Sequence, residues 1–117
     1  MKNKTFIESI RCAFKGLMSA FKQEKNFKIY FLHLIITLVL NVCLGFNIFE
    51  FIIWGITVIG VFSSECINTA IEMICDFLTK EKNETIGIIK DIAAGAVCCW
   101  GAIFYVAEIT MIVMRFI

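Results

Sequence analysis

Residues 51–78 read FIIWGITVIGVFSSECINTAIEMICDFL. The first fourteen carry no charge, too few to cross a bilayer core that needs about 20. Helical periodicity does not stop there but continues to Leu78. The expected element is one long helix over 48–78, apolar in its first half and polar along one face in its second. Glu65, Asn68, Glu72 and Asp76 stand at offsets of 0, 3, 7 and 11. At about 100° per residue they fall within an arc of roughly 80°, so four polar groups, three of them acidic, share one stripe. An acid at the centre of a membrane helix costs on the order of 2.5–3.5 kcal/mol, and such residues usually carry a function. From Glu65 to Asp76 the rise is roughly 16 Å, which puts Glu65 near the acyl–headgroup boundary if Asp76 is in water.

The composition around this stretch agrees with a membrane setting. The chain has 117 residues, 60% of them hydrophobic, with no proline and 18% charged, below the roughly 25% of a soluble domain. Its mean hydropathy is +0.86. Disorder, a collagen-like rod and a soluble nucleic-acid binder are excluded, which leaves a small, single-domain integral membrane protein. The six cysteines, Cys12, Cys43, Cys66, Cys75, Cys98 and Cys99, form no CxxC pair. Most lie in apolar runs and read as small hydrophobes, neither a disulfide framework nor a metal site.

Two further spans are expected, at 29–46 and 92–114. His33 and Asn41 interrupt the first, with His33 expected to bond a neighbour near the membrane surface. Glu108 interrupts the last. Residues 5–27 place Phe6, Ile10, Phe14, Leu17 and Phe21 on one helical face and most charges elsewhere. Such a helix suits the membrane interface or the apolar surface of a partner. The segment 79–91 reads as a polar connection. No cleavable signal peptide is expected, because the N-terminal region is charged for too long. Seven Lys and Arg residues precede the first span and three lie in 79–91, ten of the eleven in all, while the 46–50 loop has none. The positive-inside rule then puts the N-terminus and the second connection in the cytoplasm. The run Ala93, Ala94, Gly95 and Ala96 would let another helix approach closely.

Three acids on one face repel unless cations compensate. Lys90 is one source and a divalent metal another, since carboxylate oxygens suit Mg²⁺; Glu24 would be a further ligand. The competing reading is a solvated helix end paired with Lys80 and Lys82. The chain has no GxxxxGK[ST], GxGxxG or HExxH motif, so any nucleotide chemistry here uses none of the familiar nucleotide folds.

ECINTAIEMICD (65–76), followed after thirteen residues by KDIAAGAV (90–97), resembles the small bacterial membrane lipid kinases, the family of diacylglycerol kinase and undecaprenol kinase. The shared pattern is E-x-x-N-x-A-I-E-x-x-x-D and then a K-D pair beside small residues. FKGLMSAFKQEKNF (14–27) is similar to the family's amphipathic N-terminal segment. The resemblance implies an all-α homotrimer in the bacterial inner or plasma membrane, with active sites between subunits at the cytoplasmic face. It implies Glu65 as general base toward a lipid hydroxyl, with Asn68 orienting it. It further implies Glu24 and Glu72 on the Mg²⁺ of ATP, Lys90 and Asp91 on ATP itself, and Asp76 in support. Cys12 stands where relatives often have a tyrosine near ATP. Lys82 and Asn83 replace a common Tyr-His, and Tyr30 a common His or Glu. KDIAAGAV and EKNF (24–27) look like the branch that favours undecaprenol, with diacylglycerol the alternative substrate. A non-enzymatic membrane subunit, its acids serving ion binding or helix association, is the reading from a different class.

Overall fold

The computed structural model describes residues 5–117; Lys2 and Lys4 of the basic N-terminal cluster lie outside them. Four helices follow in order: α1 Phe6–Gln23, α2 Asn26–Cys43, α3 Ile48–Leu78 and α4 Glu84–Arg115. Three of them, α2, α3 and α4, are long and apolar enough to cross a membrane.

Local chemistry sets most helix ends. Thr5 Oγ1 accepts from Glu8 N at 3.2 Å, and Glu8 Oε2 accepts from Thr5 N at 3.2 Å. This reciprocal capping box opens α1. Asn47 and Glu50 repeat it at α3, at 2.9 and 3.0 Å. The α2–α3 turn is closed by Phe46 N donating to Asn41 O at 3.0 Å and Gly45 N to Val42 O at 3.1 Å. These are the two bonds of a Schellman motif, which needs a left-handed residue, and Gly45 supplies it at φ +71°.

Several boundaries depart from the sequence reading. The segment expected as one helix over 5–27 stops at Gln23, and the chain turns at Glu24 and Lys25 into α2, which begins at Asn26 and not at 29 and ends at Cys43 and not at 46. More consequentially, α4 begins at Glu84, not at 92. Asn83 Oδ1 accepts from Ile86 N at 3.1 Å and caps the helix. Polarity in 84–91 marks a solvated helical turn, so the true connection is only residues 79–83.

The long helices α3 and α4 form the packed centre. A Cβ at Gly60 would overlap the Trp100 indole, so the Trp100 ring of α4 packs directly on the α3 backbone there. Of the small run 93–96, only Ala93 is buried. Along α2, Phe27 stacks on Phe62 at 5.7 Å and Tyr30 meets the same ring edge-on at 6.5 Å. Trp54 Nε1 donates to Thr37 Oγ1 at 2.9 Å, also joining α2 to α3. His33 Nδ1 lies 2.9 Å from Ile29 O, the neighbour bond expected of it. None of α1 is buried.

The described chain is a slab of 52 × 40 × 20 Å with a radius of gyration of 17.4 Å, above the roughly 13 Å of a compact domain near this length. Its wide faces are largely apolar and exposed, as at Ile59, Ile67 and Val106. Such surfaces belong against lipid or another chain. At about 1.5 Å per residue, the 31 residues of α3 reach roughly 46 Å, beyond a hydrocarbon core of about 30 Å.

Candidate active site

The α3 stripe leaves the apolar interior at Glu65. This side chain is only 2% exposed and Asn68 only 5%, although both stand on the half of α3 that reads as polar. Residues of α2 pack beside this part of α3. The Phe27–Phe62 stack and Tyr30 lie beside the beginning of the stripe, and Tyr30 is close enough to the Glu65 carboxylate to act on it electrostatically.

Asn68 is the hinge of the polar group. Its Nδ2 donates to Glu72 Oε1 at 2.9 Å, and its carboxamide is close enough to Glu65 to act on it electrostatically. Its Oδ1 is buried with no hydrogen-bond partner among the described residues. A buried acceptor left open is costly and points to a donor or cation that arrives from outside the chain. Glu24 enters from the corner between α1 and α2. Its Oε1 accepts from Asn26 N at 3.2 Å, which fixes the carboxylate at the turn, close enough to act electrostatically on Glu65. Glu72 acts on Glu65 in the same way. Glu24, from the α1–α2 corner, thus stands near Glu65, Asn68 and Glu72 of α3, so two separate parts of the chain meet on one patch.

Lys90 and Asp76 stand at the rim. Lys90 Nζ donates to Asp76 Oδ1 at 2.7 Å, with both side chains substantially exposed. Lys90 is also near enough to Glu72 to feel its charge. Of the solvated-end reading, one part holds: Asp76 is paired, but by Lys90, with Lys80 adding only a weaker charge effect. Asp91 is exposed on α4, beside Lys90 in sequence. Cys12 is exposed on α1, about three turns before Glu24.

Sequence reasoning met Tyr30 only as an oddity of the first span. Its role as a neighbour of Glu65 depends on α2 crossing α3 at Phe62, which periodicity within either helix does not reveal.

No group of three or more His, Cys, Asp or Glu side chains among the described residues is arranged to hold a metal by itself. Mg²⁺ keeps several waters and binds through one or two carboxylates plus substrate phosphates. Glu24 and Glu72 can provide the carboxylates. Beside Ser64, the residue before Glu65, a groove of about 650 Å³ opens between α3 and α4, lined by Ile59, Gly60, Ile67, Ala96 and Trp100 among others. The arrangement combines a shielded carboxylate, further carboxylates suited to a hard cation, an exposed ammonium at the rim and an apolar slot alongside.

The family model described as prokaryotic diacylglycerol kinase matches residues 11–114, a span that holds every residue of the patch and its rim. The undecaprenol kinase of Bacillus subtilis is 32% identical over 98 residues, covering 84% of this chain and 80% of that protein. The diacylglycerol kinase of Haemophilus influenzae is 30% identical over 107 residues, covering 85% of this chain and 91% of that protein. No solved structure matches the chain.

Proposed function

The chain belongs to the prokaryotic diacylglycerol kinase family, and from that premise we propose that it transfers the γ-phosphoryl group of ATP to the hydroxyl of undecaprenol. That it is a lipid kinase follows from the family; the choice of lipid is the step beyond. The somewhat higher identity to an undecaprenol kinase and the KDIAAGAV segment support this choice over diacylglycerol.

The observation that carries the mechanism is the meeting of Glu24, Glu65, Asn68 and Glu72 on one patch. Phosphoryl transfer asks a protein for positioning and charge neutralisation more than for covalent chemistry. Glu65 takes the proton of the lipid hydroxyl as that oxygen bonds to the γ-phosphorus and the bond to the ADP oxygen breaks. The proton ends on the Glu65 carboxylate, and ADP leaves with the electron pair. Tyr30 and Asn68 hold the Glu65 carboxylate in place. Glu24 and Glu72 hold Mg²⁺, which when bound neutralises charge on the phosphates. Lys90 exchanges Asp76 for a phosphate oxygen as ATP arrives, with Asp91 beside it. Cys12, far along α1, contacts the nucleotide only if ATP extends across that helix.

Depth supports a lipid acceptor. With the start of α3 seated at one membrane surface, a core of about 30 Å uses roughly 20 residues, which brings Asn68 to the opposite boundary and Glu65 within about one helical turn of it. A hydroxyl at the bilayer surface meets the base there, and the groove beside Ser64 suits its chain. The basic residues put this end in the cytoplasm, α1 lies in the interface of the bacterial plasma membrane with its unburied apolar side chains in lipid, and the broad apolar faces of the slab join three copies.

The test is ATP-dependent phosphorylation of undecaprenol and diacylglycerol, in parallel, by purified protein in mixed micelles with Mg²⁺. The expected result is faster turnover of undecaprenol, abolished in an assembled Glu65→Gln variant. Preference for diacylglycerol would reverse the choice of lipid, and full activity of the variant would remove Glu65 from its role.

A further inference from the structure

A second glutamate is buried in the membrane-spanning part of the chain, and the kinase chemistry does not use it. Glu108 on α4 is 5% exposed, and Asn41 on α2 is fully buried. They are 67 residues apart in sequence, yet Asn41 Nδ2 donates to Glu108 Oε2 at 3.4 Å. The other atom of each head group, Asn41 Oδ1 and Glu108 Oε1, is buried with no hydrogen-bond partner among the described residues. Both are oxygens, so with an ionised Glu108 neither can satisfy the other. Among the described residues no ion pair reaches Glu108; the pairs formed are Lys90–Asp76 and Arg115–Glu50. The titratable side chains nearest along the packed elements are His33 and Cys43 on α2, Glu50 on α3, and Tyr105 and Arg115 on α4. His33 is turned to Ile29 O and the Tyr105 ring, while Arg115 Nη2 donates to Glu50 and Gly45 O and its Nε is buried with no partner among the described residues.

One proton satisfies both oxygens. A carboxylic acid and a primary carboxamide are complementary: the amide N–H donates to the acid carbonyl while the acid O–H donates to the amide carbonyl. We propose that Glu108 is a neutral acid whose Oε1–H donates to Asn41 Oδ1, completing a two-bond acid–amide latch between α2 and α4. A single unpaired carboxylate here would be a buried charge with one neutral partner, an arrangement proteins avoid. The latch gives every polar atom of both head groups a partner. It lies near the C-terminal end of α2, while the Phe27–Phe62 stack holds the N-terminal end beside Glu65. The two fastenings together fix α2, and with it Tyr30, across α3.

The test uses the full chain in detergent or lipid at neutral pH and has two readouts. Difference infrared spectra of wild type against Glu108→Gln are expected to show a protonated-carboxyl C=O band that the variant lacks. A glutamine carboxamide can form the same pair of bonds, so this variant is expected to melt within about 2 °C of wild type, whereas Glu108→Leu and Asn41→Leu lower the midpoint by about 5 °C or more. Absence of the acid band would overturn the proposal even if the leucine variants fail to fold. So would a Glu108→Gln midpoint as low as that of Glu108→Leu.

Discussion

The molecule buries two glutamates in its membrane helices, and they are treated in opposite ways. Glu65 sits among other acids. Glu24 and Glu72 act on it, Tyr30 and Asn68 stand beside it, and a lysine stands at the rim. Glu108 forms no ion pair among the described residues and faces one amide. An acid surrounded by acids is a site that needs a visiting cation. An acid closed against a neutral partner is a fastening. Burial is nearly the same for both, at 2% and 5% exposure, so burial alone does not distinguish a reactive carboxyl from a structural one; its neighbours do.

The sharpest way to break this contrast is to neutralise both acids in turn. Glu65→Gln is expected to lower turnover by about 10²–10⁴-fold, the range a general base supplies, with helix content and assembly unchanged. Glu108→Gln is expected to keep turnover within about twofold of wild type, because it preserves the hydrogen bonds that this carboxyl makes. Equal losses in steady-state assays would erase the distinction.

The demand for a cation is tested next. Chelation should abolish activity and added Mg²⁺ restore it. Asn68→Ala removes the donor that orients Glu72, and the Mg²⁺ concentration for half-maximal rate is expected to rise by about 10–100-fold, as for other partners that orient metal ligands. An unchanged Mg²⁺ titration would detach Glu72 from the metal.

A smaller effect is expected at the rim. Lys90→Met should raise the KM for ATP by about tenfold, the loss of one charge-assisted hydrogen bond to phosphate. Asp76→Asn, which frees Lys90, should change that KM by less than about threefold. If Asp76→Asn were the more damaging variant, the ion pair and not the freed lysine would be what ATP requires. The packing between the two regions has its own test. Gly60→Val must displace Trp100 and is expected to cost about 1–3 kcal/mol of stability, read as a lower melting midpoint, with residual activity at low temperature.

Much of this contrast is legible in the sequence, but unequally. The offsets of Glu65, Asn68, Glu72 and Asp76 give the stripe directly, because neighbours on one helix face are fixed by the helical repeat. The start of α4 is not legible in the same way. Residues 84–91 are polar enough to pass for a loop, and only the capping geometry of Asn83 shows that they are helical. Partners on different helices are hidden altogether. Tyr30 beside Glu65, Asn41 beside Glu108 and Arg115 beside Glu50 and the Phe46 ring each depend on how helices cross, and no period within one helix carries that information.

The overhang of α3 beyond a bilayer core sets one more condition on the chemistry. With α3 seated as proposed, Glu65 is held at a fixed height by a rigid rod, so the enzyme measures how far a hydroxyl stands from the opposite membrane surface. A thicker bilayer would draw Glu65 into hydrocarbon, and a thinner one would lift it clear of the plane in which lipid hydroxyls lie; helices answer such mismatch by tilting, at a modest cost per ångström. Turnover should therefore pass through a maximum as acyl-chain length is varied in synthetic bilayers. The membrane's thickness becomes, in effect, a regulator of the enzyme without binding to it.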